Sequence, residues 1–158
     1  MGHDVRVLAA EGIPVVGLDI SETATRQASA VPAAGGEIYE TGDFLDPAWG
    51  ASRSFSAIWE HTCFCAIHPS RRDAYAAAAA ASLRDGGILA GVFYLTPNDP
   101  GEEDDQPPFN VTIGDLDRHF APWFEKIDGW VPTRFYPSRE GREWVGVFRK
   151  LPQARVAQ

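Results

Sequence analysis

The chain has 158 residues, enough for one domain with a single core. At 44% hydrophobic and 23% charged it has the composition of a folded protein, and no apolar run approaches the length of a membrane span. Acidic residues number 22 against 14 Lys and Arg, and the net charge of −8 excludes a phosphate-tracking nucleic-acid surface, which needs clustered cations.

Asp4 and Arg6 interrupt the first segment before an apolar core forms, so the start does not read as a signal peptide. Residues 3 to 11 read as a short amphipathic helix, with Val5, Leu8 and Ala9 inward and Gly12 as its stop. Pro14 to Ile20 is a continuous apolar run of strand length, expected in a sheet covered on both faces. Ser21 is a natural N-cap for a helix through Ala30, which the stretch Pro32 to Gly36 ends. Glu37 to Thr41 is a shorter strand leading into Gly42-Asp43-Phe44. Phe55 to Trp59 is expected to be another buried strand, running into Glu60 and His61.

Cys63 and Cys65 follow, and on a continuing strand they would point the same way as buried thiols. No second Cys or His pair offers metal-ligand spacing, and this cysteine usage suits a reduced, cytoplasmic protein. Pro69 to Arg84 is the clearest helix, with Pro in its first turn, alanines from Ala76 to Ala81, and Gly86-Gly87 as its end. Ile88 to Leu95 is a strand. Asn98 to Pro108, with Glu102, Glu103, Asp104 and Asp105, reads as a solvated surface loop. Thr112 to Phe120 is helical, with Ile113, Leu116 and Phe120 on one side. Phe124 to Val131 and Trp144 to Lys150 close the chain as an antiparallel pair across the turn Pro137 to Arg142. Strand and helix alternate until that last pair. The expected fold is α/β, a Rossmann-like, mainly parallel sheet with helices on both faces and an antiparallel C-terminal strand pair. It is read as a single domain over 1–151 with a tail over 152–158.

Asp19 closes a strand and precedes a helix start, the place where nucleotide-binding α/β folds hold ribose hydroxyls on a carboxylate. Its alternative use is to cap the next helix. Asp43 and Phe44 follow the next strand, where an Asp accepts from an adenine amino group and a Phe packs on the ring; Gly-Asp is equally an ordinary turn. Glu60 and His61 stand at the carboxyl end of a strand, where open α/β sheets bind ligands. His61 is a candidate general base or substrate-orienting group, or else a turn histidine bonded to backbone. His68 and His119 read as surface residues flanking helices. Phe93, Tyr94 and Phe109 are candidates to wall an apolar pocket.

Five blocks in this order, Gly2-His3-Asp4-Val5, Val15 to Ser21 (VVGLDIS), Gly42-Asp43-Phe44, Phe64 to Ile67 (FCAI) and Pro107-Pro108-Phe109, resemble the class I S-adenosylmethionine-dependent methyltransferases. Within that class they are similar to the thiopurine S-methyltransferase family with its halide/thiol branch. The resemblance implies S-adenosylmethionine as cofactor, bound by Gly2, Asp19, Ile20, Asp43, Phe44 and Glu60. It implies His61 as the catalytic position, where relatives show Arg or Tyr, and Phe64, Tyr94, Pro108 and Phe109 toward the substrate. The reaction it implies is in-line attack of a small soft nucleophile, often a thiolate, on the sulfonium methyl. The protein's share of such a reaction is positioning and exclusion of water.

Relatives start earlier, with an N-terminal cap, a first central strand and the Gly loop, so the chain is expected to lack that strand and most of the loop. The strands ending at Asp19 and at Trp59, which would flank it, are then expected to pair directly or to be bridged by another copy. That leaves room for a homodimer through exposed strand edges. Two alternatives stand beside the enzyme: a non-catalytic remnant serving as a binding or dimerising module, and a dinucleotide oxidoreductase. The second shares the ribose-binding acid but gives no reason for the FCAI and PPF blocks.

Overall fold

The computed structural model of the chain describes residues 1–99, 101 and 105–152. The loop acids Glu102, Glu103 and Asp104 and the tail from residue 153 lie outside the described residues, whereas Asp105 is exposed as expected. The chain divides into two compact units, one over Met1–Trp49 and one from Gly50 onward.

The first unit contains α1 (His3–Ala10), β1 (Val16–Asp19), α2 (Glu22–Ser29) and β2 (Ile38–Thr41). β1 and β2 pair in parallel, with Val16 opposite Ile38 and Asp19 opposite Thr41. Local chemistry sets the helix ends. Ser21 accepts from the Ala24 amide and starts α2, while Gly12, at φ +77°, ends the turn after α1. β1 is half-buried rather than covered on both faces, and Ile20, just beyond it, is 73% exposed. Gly17 is required by packing: a Cβ there would lie 2.9 Å from the Val5 side chain and 3.0 Å from the Tyr39 ring.

A short helix α3 (Pro47–Ala51) leads into the second unit. It contains β3 (Phe55–His61), α4 (Arg72–Ser82), β4 (Leu83–Tyr94), α5 (Ile113–Phe120), β5 (Phe124–Trp130) and β6 (Glu143–Lys150). Its sheet has the order β3-β4-β6-β5, parallel between β3 and β4 and antiparallel elsewhere. The parallel ladders followed by an antiparallel terminal pair are those of the expected α/β fold. Of the two expected arrangements, direct pairing is not seen: among the described residues no ladder joins β1 to β3, and the strands form two sheets, β1-β2 and β3-β4-β6-β5.

The core of this unit is aromatic. Phe64, Phe93, Phe120 and Phe148 are each about 1% exposed, with Phe120 and Phe148 centroids 4.8 Å apart. Such ring pairs add roughly 0.5–1.5 kcal/mol each beyond area burial. Arg72 is also buried, its guanidinium donating twice to the Asn110 carbonyl at 3.2 Å and lying over the Phe64 ring.

Several expectations are corrected here. The long helix ends at Ser82, not at Gly86-Gly87, because Leu83 is buried in register with Phe55 and the ladder wins over helix propensity. β3 is not buried throughout: Ala57, Trp59 and His61 share one face and are exposed, Trp59 by 46%. The cysteines are not on a strand. Cys63 sits exposed on a turn and Cys65 buried in a 3-10 helix (Phe64–Ala66), with no disulfide. Ile113 is exposed, while His119 is buried and its Nδ1 lies 2.6 Å from an Asp73 carboxyl oxygen, tying α5 to α4.

Candidate active site

In the first unit a cavity of about 170 Å³ opens beside the carboxyl end of β1. Asp19, Gly2, Gly17, Thr25 and Tyr39 are among its walls. Gly2 caps α1 in the left-handed region, at φ +64°, and a Cβ there would fall 2.7 Å from the Tyr39 ring. Only glycine satisfies both demands. The Tyr39 hydroxyl donates to the Gly2 carbonyl at 3.4 Å, fastening that turn to β2. One Asp19 oxygen accepts from the Ser21 amide at 2.8 Å, so the carboxylate is oriented by the start of α2. It stands exposed at the cavity with one oxygen held by this local bond. Whole-ligand sites enclose roughly 300–1,000 Å³, so a cavity of this size matches a fragment such as a ribose.

Asp43 and Phe44 lie in the same unit, after β2. The Asp43 carboxylate accepts from the Leu45 amide at 2.8 Å, and the Phe44 and Trp49 ring centroids are 6.0 Å apart. Neither residue lines the cavity, nor does the exposed Ile20. Tyr39 and Thr25 do, and sequence reading passed over both. Thr25 is held by a hydroxyl pair with Thr41 at 2.6 Å. Their signal is weak, a tyrosine and a threonine on elements whose facing residues only the register reveals.

The second unit gathers its candidates where β3 and β4 end. Glu60, the last inward residue of β3, is 2% exposed. Its Oε1 accepts from the amides of Cys63 and Phe64, the latter at 2.8 Å, and its Oε2 is buried with no partner among the described residues. Desolvation pushes this carboxyl up to about 7, opposed by the two amide bonds. The carboxyl expected at the cofactor's methionine end therefore faces the core. His61, next along, is exposed, with its ring 6.3 Å from that of Trp59. Thr62 takes φ +58°, a strained value for a β-branched residue, and this reverses the chain into the 3-10 turn.

Phe64 is not a pocket wall. It lies at the centre of the aromatic core, edge-on to Tyr75 at 5.3 Å and 5.5 Å from Phe120. Phe109 is half-buried beside the turn, its amide donating to the Cys65 carbonyl at 2.7 Å and its ring edge-on to His68. Pro108 is exposed, its carbonyl accepting from Asn98 at 2.8 Å. Tyr94, half-buried at the end of β4, lies under the Arg139 guanidinium at 4.5 Å, with Tyr136 on the same cation at 5.0 Å. Arg139 and Tyr136 were not singled out in the sequence, because they sit in an irregular connection where periodicity carries no signal.

Among the described residues no group of three His, Cys, Asp or Glu is placed to hold a metal ion, and no helix is long and apolar enough to cross a membrane.

The chain is similar to Thiocyanate methyltransferase 1 of Brassica oleracea, at 30% identity over 156 residues, covering 95% of this chain and 66% of that protein. It is 31% identical to Probable thiol methyltransferase 2 of Arabidopsis thaliana, covering 94% of this chain and again 66% of the relative. It thus spans just under two thirds of the length of these relatives. Among solved structures, the protein studied for conversion of a disulfide bond into a thioacetal group during echinomycin biosynthesis superposes with a TM-score of 0.78 at 21% identity, covering 98% of this chain and 73% of its own. A Burkholderia thailandensis 1,6-didemethyltoxoflavin N1-methyltransferase with bound S-adenosylhomocysteine gives 0.72 at 20% identity, covering 96% and 67%. These two likenesses show the fold. The thiopurine S-methyltransferase family profile matches residues 1–132, and the chain belongs to that family.

Proposed function

We propose that this chain transfers the methyl group of S-adenosylmethionine to a small, soft nucleophile such as a thiol or thiocyanate. The observation that carries this reading is the oriented Asp19 carboxylate at the cavity beside Gly2, in a chain of this family. A carboxylate there accepts from both ribose hydroxyls, charge-assisted bonds that fix the cofactor's sugar. The cofactor supplies an activated methyl when bound. In the first unit Asp19 and Gly2 would hold the ribose and Asp43 and Phe44 the adenine; in the second, His61, Tyr94, Pro108 and Phe109 are the candidates to meet the acceptor. An acceptor that arrives ionised needs no general base, so His61 orients it rather than taking its proton.

The names of the relatives support thiocyanate and thiols as the first acceptors to test. Purified chain is incubated with methyl-labelled S-adenosylmethionine and thiocyanate or a small thiol. Labelled methyl thiocyanate or thioether is the expected product, and none from either acceptor counts against the reading. A homodimer belongs to the same proposal: sedimentation equilibrium is expected to give twice the chain mass, and a monomer mass removes it.

The non-catalytic alternative draws on one observation, the small cavity. It calls for a chain that folds without binding cofactor. The oxidoreductase alternative calls for NADH binding in preference to S-adenosylhomocysteine.

A further inference from the structure

Glu60 is the most unusual buried group in the second unit. Its side chain lies against the β4 backbone at Gly91, where a Cβ would meet Oε2 at 2.9 Å and the Glu60 Cβ at 2.8 Å. A Cβ at Gly91 would also meet the Glu60 backbone carbonyl at 2.9 Å, so a larger residue there would crowd this seat. From that seat one oxygen holds two consecutive amides, those of Cys63 and Phe64, at the start of the 3-10 turn. The other oxygen is buried without a partner among the described residues. Two amides on a single oxygen do not replace the hydration of a full charge, so ionisation leaves an under-solvated buried carboxylate.

The groups around it do not relieve this. Tyr75, from α4, is itself pushed well up by burial and then by the charge of Glu60. The Cys65 thiol is pushed up to about 11, by burial first and Glu60 second, against smaller opposing effects of Arg139 and Arg72. His61 ends β3 and Cys63 lies on the turn, both exposed.

We propose that Glu60 is a positioning residue: seated against Gly91 near the end of β3, its carboxyl sets the turn that carries Cys63 and Phe64, and gain or loss of its proton changes the hold on that turn. The position of His61, which follows Glu60 at the end of β3, and of Phe109, whose amide donates to the Cys65 carbonyl of this turn, then depends on a proton held inside the protein. The role in catalysis rests on the methyl-transfer reading; the coupling of proton to turn does not.

The test follows the side-chain carboxyl carbon of Glu60 and the amides of Cys63 and Phe64 by NMR, in the labelled full chain between pH 4 and 9. The expected result is one transition near neutrality shared by all three, with the two amides flat in Glu60→Gln. Ionisation of Glu60 in the ordinary carboxylate range, or amides that ignore it, overturns the proposal. Gly91→Ala is the second variant: it is expected to shift the Glu60 transition down by more than one pH unit, and an unmoved transition counts against the seat.

Turnover is read with thiocyanate, which is anionic throughout and adds no titration of its own. In the natural chain kcat is expected to fall at the pH of the Glu60 transition. That fall should vanish in Glu60→Gln, and a fall that persists overturns the positioning role. Absence of turnover at every pH contradicts the proposed function alone, since the NMR transition still decides the coupling.

Discussion

At the residue scale, the two acids that close parallel strands do opposite things. Asp19 is exposed and oriented by one amide, ready to accept from a ligand; Glu60 is buried and spends an oxygen on two amides of its own chain. Asp19→Ala removes the proposed acceptor of the ribose hydroxyls, each bond to a charged group being worth roughly 1.5–3 kcal/mol. S-adenosylhomocysteine affinity is expected to drop about 10- to 100-fold, read by calorimetry. Gly2→Val tests the cavity from the other wall. It places a branched side chain at φ +64° and against Tyr39, so binding is expected to be lost, and unchanged affinity would show that the cavity takes no part. The directions of these acids were not legible in the sequence, where both read as polar ends of apolar runs. What turns Glu60 inward is Gly91, its ladder partner on another strand.

At the scale of elements, legibility follows the range of the interaction. Ser21 was readable as a cap because a cap acts within three residues; Thr112, read only as a helix start, accepts from the Asp115 amide while the Asp115 carboxylate returns to the Thr112 amide, a complete capping box. Thr112→Ala is expected to cost about 1 kcal/mol. In a chain of this size that lowers the thermal midpoint by about 2–4 °C, read by calorimetric scanning, and no change would show that the box is idle. The end of α4 was not readable, since six alanines favour more helix and only the Leu83–Phe55 register stops it. His119 was misjudged for the same reason, its Asp73 partner being 46 residues away. The antiparallel final pair was legible, because the two strands follow one another directly in the chain with no helix between them.

At the scale of the whole molecule, the proton on Glu60 gives stability a definite pH dependence. Its folded value, about 7, lies above the ordinary 4.5, so the folded chain keeps a proton that the unfolded chain loses. The stabilisation is complete below about pH 4.5 and is lost as pH rises through 7, on the order of 3 kcal/mol. Asp115, held low by its hydrogen bonds to Thr112, acts in the opposite direction and loses its contribution as pH falls; so does Glu37, held low by amides. Both are solvent-screened, so Glu60 dominates. Thermal midpoints are therefore expected to decline from pH 5 to 8 in the natural chain and to stay level in Glu60→Gln. A parallel decline in both would remove Glu60 as the cause.

Methyl transfer requires first that the chain hold its cofactor, and isothermal titration of S-adenosylhomocysteine into the full chain measures this directly. Micromolar, one-to-one binding that Asp19→Ala weakens is the expected result. A folded chain that takes up no S-adenosylhomocysteine would contradict the enzyme reading and leave the non-catalytic one.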